Sequence, residues 1–545
     1  MPETSPGLST GRPESDPVAA APPASSPPGQ AGPRPAELAL LASVFVIAAC
    51  GLLYELVAGA LASWLLGDSV LQFSTIIGAY LFAMGIGSFL SRFVVRELVA
   101  TFLRVELLVG LVGGLLPATL FVAHNLMQVT PATSGPFRVL LYGLVLAVGT
   151  LVGLEIPLVM RILKAQFRAR WRLSELVSQV LTFDYLGALA VAVAFPLLLL
   201  PHLGAIRTGV VFGLLNALVA AWALWLFRRQ LTGVRWHALS CAAVVAALAA
   251  VGVGAGHLTS WAEDRFYGER IVHAASSPYQ RIVVTAGASG EVRLFLNGNL
   301  QFDSRDEYRY HEALVHPAMA AHGAPRRVAI LGGGDGLALR EVLRYPSVEQ
   351  VWLVDLDAAV TTLFSTEPRL RTLNAQAFDS PKVRVVNADA FTWLESHEEI
   401  FDVVIVDFPD PSNFSLGKLY TTSFYALLDR HLSASGYAAI QTSSPLVARR
   451  SYWTVVATLE AVGLGTTPYH AHVPSFGEWG FILAGRRPWR MPPQLPEGLR
   501  FLTREGLPTL LHFPPDMARV SAEPNRITNQ ALVRIFEEEW GRTHR

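Results

Sequence analysis

Cysteine is almost absent from this chain of 545 residues. Its two cysteines, Cys50 and Cys241, both lie inside apolar stretches. Two such thiols provide neither a disulfide framework nor a cysteine-rich metal site. The sequence therefore does not predict a small disulfide-stabilised fold, and we expect no metal site.

Charged residues are also scarce, and their signs balance. Asp, Glu, Lys and Arg make up 16% of the chain, against roughly 25% in a typical soluble protein. Lys plus Arg and Asp plus Glu number 43 each, so no overall field attracts nucleic acid, and we expect no nucleic-acid partner. Hydrophobic residues reach 52% of the chain, which indicates a large lipid-facing or deeply buried portion.

The chain divides by composition, and its first two parts contain no soluble domain. Residues 1–36 are rich in Pro and Ser and poor in large apolar residues, which predicts a disordered tail. Residues 37–260 contain about seven apolar runs of the length that crosses a bilayer as a helix, so we expect a multi-pass helical membrane domain. The runs cover approximately 38–62, 73–95, 102–124, 137–163, 180–201, 205–227 and 237–258.

Basic residues between these runs indicate an orientation. They cluster at 92–104, 161–172 and 228–235 and alternate with nearly uncharged connections, which places these clusters and the N-terminus in the cytoplasm. Seven full crossings would then leave the C-terminal domain outside. We nevertheless predict a multi-pass protein of the cell membrane whose C-terminal domain is cytoplasmic. In that case one segment is re-entrant or one boundary is misplaced.

Three carboxylates lie within or at the ends of the apolar runs, namely Glu55, Glu155 and Asp184. A carboxylate is costly at such depth and often functional. A hydrogen bond between helices, or a position near the lipid headgroups, would explain them equally well. No transported species is implied.

From residue 263 onward the pattern becomes that of an α/β protein. Residues 263–305 contain short alternating runs broken by Gly-Ala-Ser-Gly and Asn-Gly-Asn, which predicts a small antiparallel β-sheet subdomain. In residues 306–490 the β-rich runs VAILGG, VWLVDLD, VRVVNAD, FDVVIVDF and YAAIQTS are separated by segments of helical length. This alternation predicts a Rossmann-like, doubly wound parallel sheet, and 491–545 form a C-terminal extension.

A nucleoside site is predicted at the carboxyl ends of the first three of these strands. Glycines at 332, 333, 334 and 336 let a ligand approach the backbone after the first strand, and Asp355 ends the second, where a carboxylate can bind both ribose hydroxyls. Asp389 follows the third strand in a place suited to adenine. Taken singly, Asp355 or Asp389 could merely cap the next helix. Acidic Asp335 in the glycine loop disfavours a pyrophosphate, and so a dinucleotide.

An anionic pocket is predicted beside it. Asp407 and Asp410 follow the fourth strand in VDFPDP, across the glycine loop from Asp335. An anionic pocket suits a cationic ligand, and carboxylates can orient ammonium groups. An amine with a pKa near 10.4 is mostly ammonium at neutral pH. For such an amine to act as a nucleophile, one carboxylate must accept its proton. We predict Asp407 as this base. The alternative is that Asp407 and Asp410 only shape a turn before Pro411.

The segments NGNLQFDSRDEYRYHEALVHPAM, VAILGGGDGLALREVLRYPSVEQV, DLD, NADAF and VDFPDP together resemble the polyamine aminopropyltransferases, the spermidine synthases, over about residues 265–485. The apolar front resembles their membrane-attached bacterial branch. The resemblance implies that putrescine attacks decarboxylated S-adenosylmethionine, which is a co-substrate, so no cofactor is needed. It also implies a homodimer.

The resemblance assigns a role to each matching position. The nucleoside-binding residues would be Gln280, Gly332, Gly334, Asp355, Asp389 and Ala390. The residues lining the polyamine and aminopropyl side would be Tyr310, His311, Asp335 and Asp410. Asp407 would be the catalytic base. The chain departs from the family in its lid, Ser412 to Tyr420, and at Phe476, where a family tyrosine is replaced. For Phe476 and Trp479, core packing is an equal alternative. Both departures concern the amine, so cadaverine, agmatine and spermidine stay open as acceptors.

Two other functions fit parts of the sequence. A methyltransferase that uses S-adenosylmethionine shares this type of sheet, but Asp335 would repel the methionine carboxylate. A membrane polyamine sensor or transporter would bind in the same pocket without turnover. The sequence favours aminopropyl transfer over both.

Overall fold

The computed structural model describes residues 35–66, 69–127, 134–166 and 173–543. The predicted tail, 1–36, lies almost entirely outside the described residues, as do the basic residues at 168–172. Seven helices form the described N-terminal part: α1 Pro35–Leu66, α2 Ser69–Leu90, α3 Leu98–Leu126, α4 Ser134–Gln166, α5 Leu173–Ala194, α6 Leu200–Phe227 and α7 Val234–Tyr267.

These helices pack around α1, which contacts each of α2 to α6. Glycines allow close approach at the crossing of α3 and α6. A Cβ added at Gly110 would lie 2.8 Å from the carbonyl oxygen of Gly213, and one at Gly209 would lie 2.9 Å from that of Gly114. The contact pairs are thus 110 with 213 and 114 with 209. Because residue numbers rise along α3 as they fall along α6, the two helices are antiparallel. Small residues at helix contacts are typical of packing in membranes.

Among the described residues, six helical stretches are long and apolar enough to cross a membrane, where the sequence predicted seven runs. The difference lies in Ser174–Phe227, a single stretch of 54 residues that contains two of the predicted runs. A π-helical turn at Phe195–Leu199 and a non-helical Gly204, with φ of 72°, interrupt it. The non-helical Gly204 falls between the predicted runs 180–201 and 205–227, which the sequence already separated.

The helix ends show how the chain crosses the bundle. Gln166 at the end of α4 and Gln230 just after α6 exchange amide hydrogen bonds of 2.8 and 3.3 Å, so α4 and α6 end on the same side. The intervening α5 must therefore carry the chain back, and the 54-residue stretch reverses direction. Arg161 donates to the carbonyl oxygens of Ser91 and Val94. The described basic connections thus share one end of the bundle, and α7 leads away from it.

A small antiparallel sheet follows α7, as the sequence predicted. Its strands, in spatial order, are β1 Arg270–Ser276, β2 Arg281–Ala286, β3 Val292–Leu296 and β4 Asn299–Asp303. Asn297 and Gly298 connect β3 and β4 with φ of 50° and 82°. This left-handed pair is the Asn-Gly hairpin turn that the sequence indicated.

The predicted doubly wound sheet is also present. Its strands are β5 Arg327–Gly332, β6 Gln350–Asp355, β7 Val383–Asn387, β8 Phe401–Asp407, β9 Leu432–Thr442, β10 Gly465–Val473 and β11 Gly477–Gly485. Their order is β10-β11-β9-β8-β5-β6-β7, with β5 to β9 parallel. The antiparallel hairpin β10–β11 was not predicted. Because β5 pairs with both β6 and β8, the strand order reverses at β5, where such sheets bind ligands.

Helices cover this sheet and the C-terminal extension packs against it. They are α8 Glu307–His322, α9 Leu337–Val342, α10 Ala358–Thr366, α11 Pro368–Leu373, α12 Ala390–Ser396, α13 Phe414–Gly417, α14 Thr422–Arg430, α15 Arg449–Ala461, α16 Leu507–Leu510 and α17 Ala531–Thr543. Buried Glu312 of α8 accepts three backbone N–H groups, from residues 500 to 502, at 2.8 to 2.9 Å. This carboxylate ties the extension to the sheet-covering layer.

Candidate active site

The glycine loop after β5 lies between two carboxyl groups. Gly332 and Gly333 have φ of 84° and 66°, which side chains with a Cβ rarely adopt. A Cβ at Gly333 would lie 3.2 Å from Oδ2 of Asp407, and one at Gly334 would lie 2.7 Å from Oδ2 of Asp355. The loop therefore needs glycine to let both carboxyl groups approach its backbone, and it joins the predicted nucleoside and catalytic regions.

Asp355 is held by backbone N–H groups at the end of β6. Its Oδ2 accepts from the Gly334 amide at 3.0 Å and its Oδ1 from the Asp357 amide at 2.8 Å. Burial raises the pKa of Asp355 to about 6, although both hydrogen bonds oppose the rise. An Asp355 carboxylate fixed in this way can accept the two hydroxyl groups of a ribose.

Gln280 comes from the turn between β1 and β2 and contacts the segment that follows β6. Its Nε2 donates to Oδ2 of Asp357 at 2.9 Å, and the Ser277 hydroxyl donates to the same oxygen at 2.6 Å. The structure therefore ties Gln280 to Asp357, two residues beyond the predicted Asp355. Asp357 in turn caps α10 by accepting from the Ala359 amide at 3.0 Å.

Asp389 begins α12, directly before Ala390. Its Oδ1 accepts from the Phe391 and Thr392 amides at 3.0 and 3.2 Å, so it caps the helix. Its Oδ2 accepts from Nζ of Lys418 at 2.6 Å. Burial would raise the pKa of Asp389, but the hydrogen bond and charge of Lys418 and the two backbone hydrogen bonds together outweigh burial, and the pKa is lowered. The Asp389 carboxylate therefore caps α12 and also binds Lys418, which belongs to the segment from Ser412 to Tyr420.

Tyr310 and His311, both buried in α8, face the catalytic region. The Tyr310 hydroxyl donates to Oδ1 of Asp407 at 2.6 Å. Nδ1 of His311 lies 2.9 Å from Oε2 of Glu307, which Arg340 also contacts at 2.9 Å. Burial alone would lower the pKa of His311, but the hydrogen bond and charge of Glu307 raise it. His311 can therefore supply positive charge beside the aspartates.

Three aspartates give the pocket its electrostatic character. Burial raises the pKa of Asp335 to about 6, with the charge of His311 opposing the rise and that of Asp407 adding to it. Burial also raises the pKa of Asp407, against the charge of His311 and the hydrogen bond from Tyr310. Burial raises the pKa of Asp410 to about 7. Because a nearby positive charge favours the ionised forms of all three, the pocket is suited to a cationic ligand.

Aromatic side chains form a wall next to Tyr310. The ring centroids of Phe476 and Tyr310 are 6.1 Å apart, and those of Phe476 and Trp479 are 5.2 Å apart. Trp479 Nε1 donates to Oε1 of Gln441 at 3.0 Å, and Nε2 of Gln441 donates to the Phe408 carbonyl. This chain of contacts leads from the aromatic wall to the turn that carries Asp410.

No metal centre is evident in the part of the chain that the structure describes, where no group of three or more His, Cys, Asp or Glu side chains could hold an ion. The carboxyl groups of the pocket are instead held by backbone amides, Tyr310 and Lys418. The arrangement can bind a nucleoside beside a cation and can remove a proton.

Comparison with known proteins agrees with this chemistry. Residues 307–488 match the spermine/spermidine synthase domain. Polyamine aminopropyltransferase 2 of Ralstonia nicotianae is 56% identical over 511 residues, which cover 92% of this chain and 98% of the relative. The polyamine aminopropyltransferase of Leptospira interrogans is 49% identical over 508 residues, covering 93% and 99%. The chain belongs to the polyamine aminopropyltransferase family.

The family assignment confirms the resemblance and the predicted enzyme class. This aminopropyltransferase shares most of its length with those relatives, and 92% coverage of the chain must include much of the helical region. A crystallised spermidine synthase in complex with the transition-state analogue AdoDATO is 27% identical, covers 45% of this chain and 86% of its own, and has a TM-score of 0.43. The family assignment does not support the non-catalytic sensor or transporter.

Three residues of the aminopropyltransferase pocket escaped the sequence analysis. Asp357 binds Gln280, Lys418 binds Asp389, and Gln441 connects Trp479 with Phe408. The second acid of the DLD run was a usable signal for Asp357. Lys418 and Gln441 carried none, because their partners are distant in the sequence and their residue types are common on surfaces and strands.

Proposed function

We propose that the chain transfers the aminopropyl group of decarboxylated S-adenosylmethionine to putrescine, giving spermidine and methylthioadenosine. The observation that carries the proposal is the set of three aspartates with raised pKa, Asp335, Asp407 and Asp410, next to the backbone-held carboxylate Asp355. Both substrates are cationic at neutral pH. The family uses decarboxylated S-adenosylmethionine as a substrate and not as a bound cofactor.

In this proposal the nucleoside occupies the crevice over β5 and β6. Asp355 accepts the ribose hydroxyl groups, and Gln280 acts next to it through Asp357. Gly332 and Gly334 let the nucleoside approach the backbone. Asp389 and Ala390 face the adenine, with Lys418 holding the Asp389 carboxylate.

The reaction proceeds at the Asp407 side of the glycine loop. Asp407 accepts a proton from the attacking ammonium group, and the nitrogen lone pair then forms a bond to the aminopropyl carbon beside the sulfonium. The carbon–sulfur bond breaks, its electron pair stays on sulfur, and a neutral thioether leaves. Asp335 and Asp410 orient the amino groups, Tyr310 orients Asp407, and His311 limits the build-up of negative charge.

The pocket also favours the decarboxylated substrate. Asp335 faces the place that the methionine carboxylate of S-adenosylmethionine would occupy, and two like charges there would repel. In binding measurements on the purified chain we expect preference for the decarboxylated form. Tighter binding of S-adenosylmethionine would instead support the methyltransferase alternative.

A product assay tests the proposed reaction and its acceptor. The full chain is incubated with decarboxylated S-adenosylmethionine and putrescine, cadaverine, agmatine or spermidine in turn, and methylthioadenosine and the new polyamine are quantified. We expect the highest kcat/KM with putrescine. A higher kcat/KM with another amine would mean that this amine, and not putrescine, is the acceptor. Absence of methylthioadenosine with all four amines would contradict the proposed reaction.

We also propose a multi-pass position in the cell membrane, supported by the six apolar stretches. The cytoplasmic location of the catalytic domain stays a prediction. The helix directions weigh against it, because α7 leads away from the end that carries the described basic connections. Protease accessibility of the domain in sealed vesicles of known orientation distinguishes the two sides. The homodimer, the predicted domain limits and the absence of a nucleic-acid partner also stay predictions.

A further inference from the structure

The centre of the helical region contains polar side chains that the catalytic pocket does not use. Tyr54 of α1, Glu106 of α3, Glu155 of α4 and Asn216 of α6 are each at most 1% exposed. Nδ2 of Asn216 donates to Oε2 of Glu106 at 3.2 Å. Glu106 and Tyr54 both lie within electrostatic range of Glu155. We call these four residues the buried polar cluster.

The cluster has more hydrogen-bond acceptors than donors. Both carboxyl oxygens of Glu155, Oε1 of Glu106, Oδ1 of Asn216 and the Tyr54 hydroxyl have no hydrogen-bond partner among the described residues. Four of these five atoms can only accept when the carboxyl groups are ionised. Within the described residues, no basic side chain pairs with either glutamate. Buried carboxyl groups of this kind either take up a proton or pair with a cation.

We propose that the buried polar cluster binds the ammonium group of an aliphatic amine. An ammonium group has one positive charge and three N–H donors, and it has no acceptor of its own. It can therefore donate to several of the unpartnered acceptors of the cluster at once, while its charge offsets that of a glutamate. A proton on one glutamate would supply a single donor and leave most of the acceptors without a partner. Amines are also what the catalytic domain of this chain handles.

Helix packing around the cluster supports a site made by several helices. A Cβ added at Gly113 of α3 would lie 2.8 Å from the ring of Tyr54, so glycine there lets this tyrosine lie against α3. Ligand sites inside helix bundles are commonly built from side chains on facing helices. Ionisable residues inside membrane spans commonly mark such sites. The position of Glu155 in an apolar run was visible from the sequence, whereas the contact between Glu106 and Asn216 was not.

Equilibrium binding to the full chain tests the proposal. Radiolabelled putrescine and spermidine are titrated onto wild type, Glu155→Gln and Glu97→Gln in the same detergent. Glu97 is the matched control, since it precedes α3, its side chain is 61% exposed and it lies 3.8 Å from Arg104. We expect Glu155→Gln to bind one amine fewer per chain at saturation, whereas Glu97→Gln matches wild type.

The catalytic pocket is present in all three proteins, so its own amine site cancels in the comparison. Aminopropyl transfer is measured on the same samples and should be unchanged in Glu155→Gln. If wild type itself showed no aminopropyl transfer, that result would contradict the proposed function and would say nothing about the buried polar cluster. Equal stoichiometry in all three proteins overturns the proposal. Complete displacement of the amine by sodium chloride, at an ionic strength matched by choline chloride, would also overturn it in favour of an inorganic cation.

A second measurement needs no variant. A hydrophobic carbodiimide modifies carboxyl groups in apolar surroundings, and peptide mass spectrometry follows modification of Glu106 and Glu155 in the wild-type chain. We expect saturating spermidine to slow this modification at least tenfold, relative to choline chloride. Modification at the same rate with and without spermidine would mean that the glutamates hold protons only, which contradicts the proposal.

Discussion

Replacement of Asp410 by Asn should make the protein more stable and less active at the same time. Asp410 lies just beyond β8, and its Oδ1 has no hydrogen-bond partner among the described residues. Burial raises its pKa to about 7, which means that the free protein resists ionising this group. Asn removes the charge that burial disfavours, and it also removes the charge that an ammonium group would bind.

The magnitude follows from the two pKa values. Because the pKa of Asp410 rises from 3.8 to about 7 on folding, ionised Asp410 costs on the order of 4 kcal/mol at pH 8, at about 1.4 kcal/mol per pKa unit. The side chain keeps some contact with solvent, so we expect about half of this, or about 2 kcal/mol. The cost is absent below pH 4, grows between pH 4 and 7, and is complete above pH 7.

Thermal unfolding of the full chain in detergent, followed by tryptophan fluorescence, measures the effect. We expect Asp410→Asn to raise the Tm by about 4 to 8 °C at pH 8, and by less than half as much at pH 5. Asp379→Asn is the control, because Asp379 is 55% exposed and paired with Arg371. Its unfolding free energy should change by about 0.5 kcal/mol or less at both pH values.

The same variant should bind its amine substrate more weakly. Loss of a charge-assisted hydrogen bond corresponds to about a 10- to 100-fold increase in the KM for putrescine. A variant that is no more stable than wild type at pH 8 would refute the reasoning. Equal stabilisation at pH 5 and pH 8 would refute it too, because the origin would then not be the ionisation of Asp410.

Three further predictions concern the same pocket. Asp407→Asn should reduce methylthioadenosine release at least about 1000-fold while binding of labelled decarboxylated S-adenosylmethionine stays close to wild type; substantial turnover would show that Asp407 is not the base. Tyr310→Phe removes the 2.6 Å hydrogen bond to Asp407 and should lower kcat about 10- to 100-fold. Because that bond lowers the pKa of Asp407, its loss should also move the acidic limb of the pH–rate profile to higher pH. A lower rate with an unmoved acidic limb would disprove the positioning role. In wild type, kcat/KM should rise from pH 6 to pH 8 as Asp335 and Asp410, with pKa of about 6 and about 7, ionise; a flat profile would contradict the anionic pocket.

The catalytic half shows how far local sequence reaches. Each predicted strand from β5 to β9 is present, and Asp355, Asp389 and Asp407 lie at or just beyond strand ends as expected. Parallel strands of one sheet place their carboxyl ends along one edge, so position in the sequence was enough to bring these acids together. The hydrogen-bond partners of these acids could not be predicted from the sequence in the same way. Gln280 reaches Asp357 across 77 residues, and only the docking of the small sheet against the large one brings the two together.

The helical half shows the opposite balance. Composition and run length by themselves determined that the chain contains apolar helices of membrane-spanning length before an α/β enzyme. They separated the runs on either side of Gly204, but they did not determine that α5 returns the chain, because the direction of a helix leaves no trace in its hydropathy. They also did not show that Glu106 meets Asn216 across 110 residues. The sequence thus determined the fold class and the acidic pocket through local periodicity, whereas only the tertiary structure decided which distant polar groups share the interior.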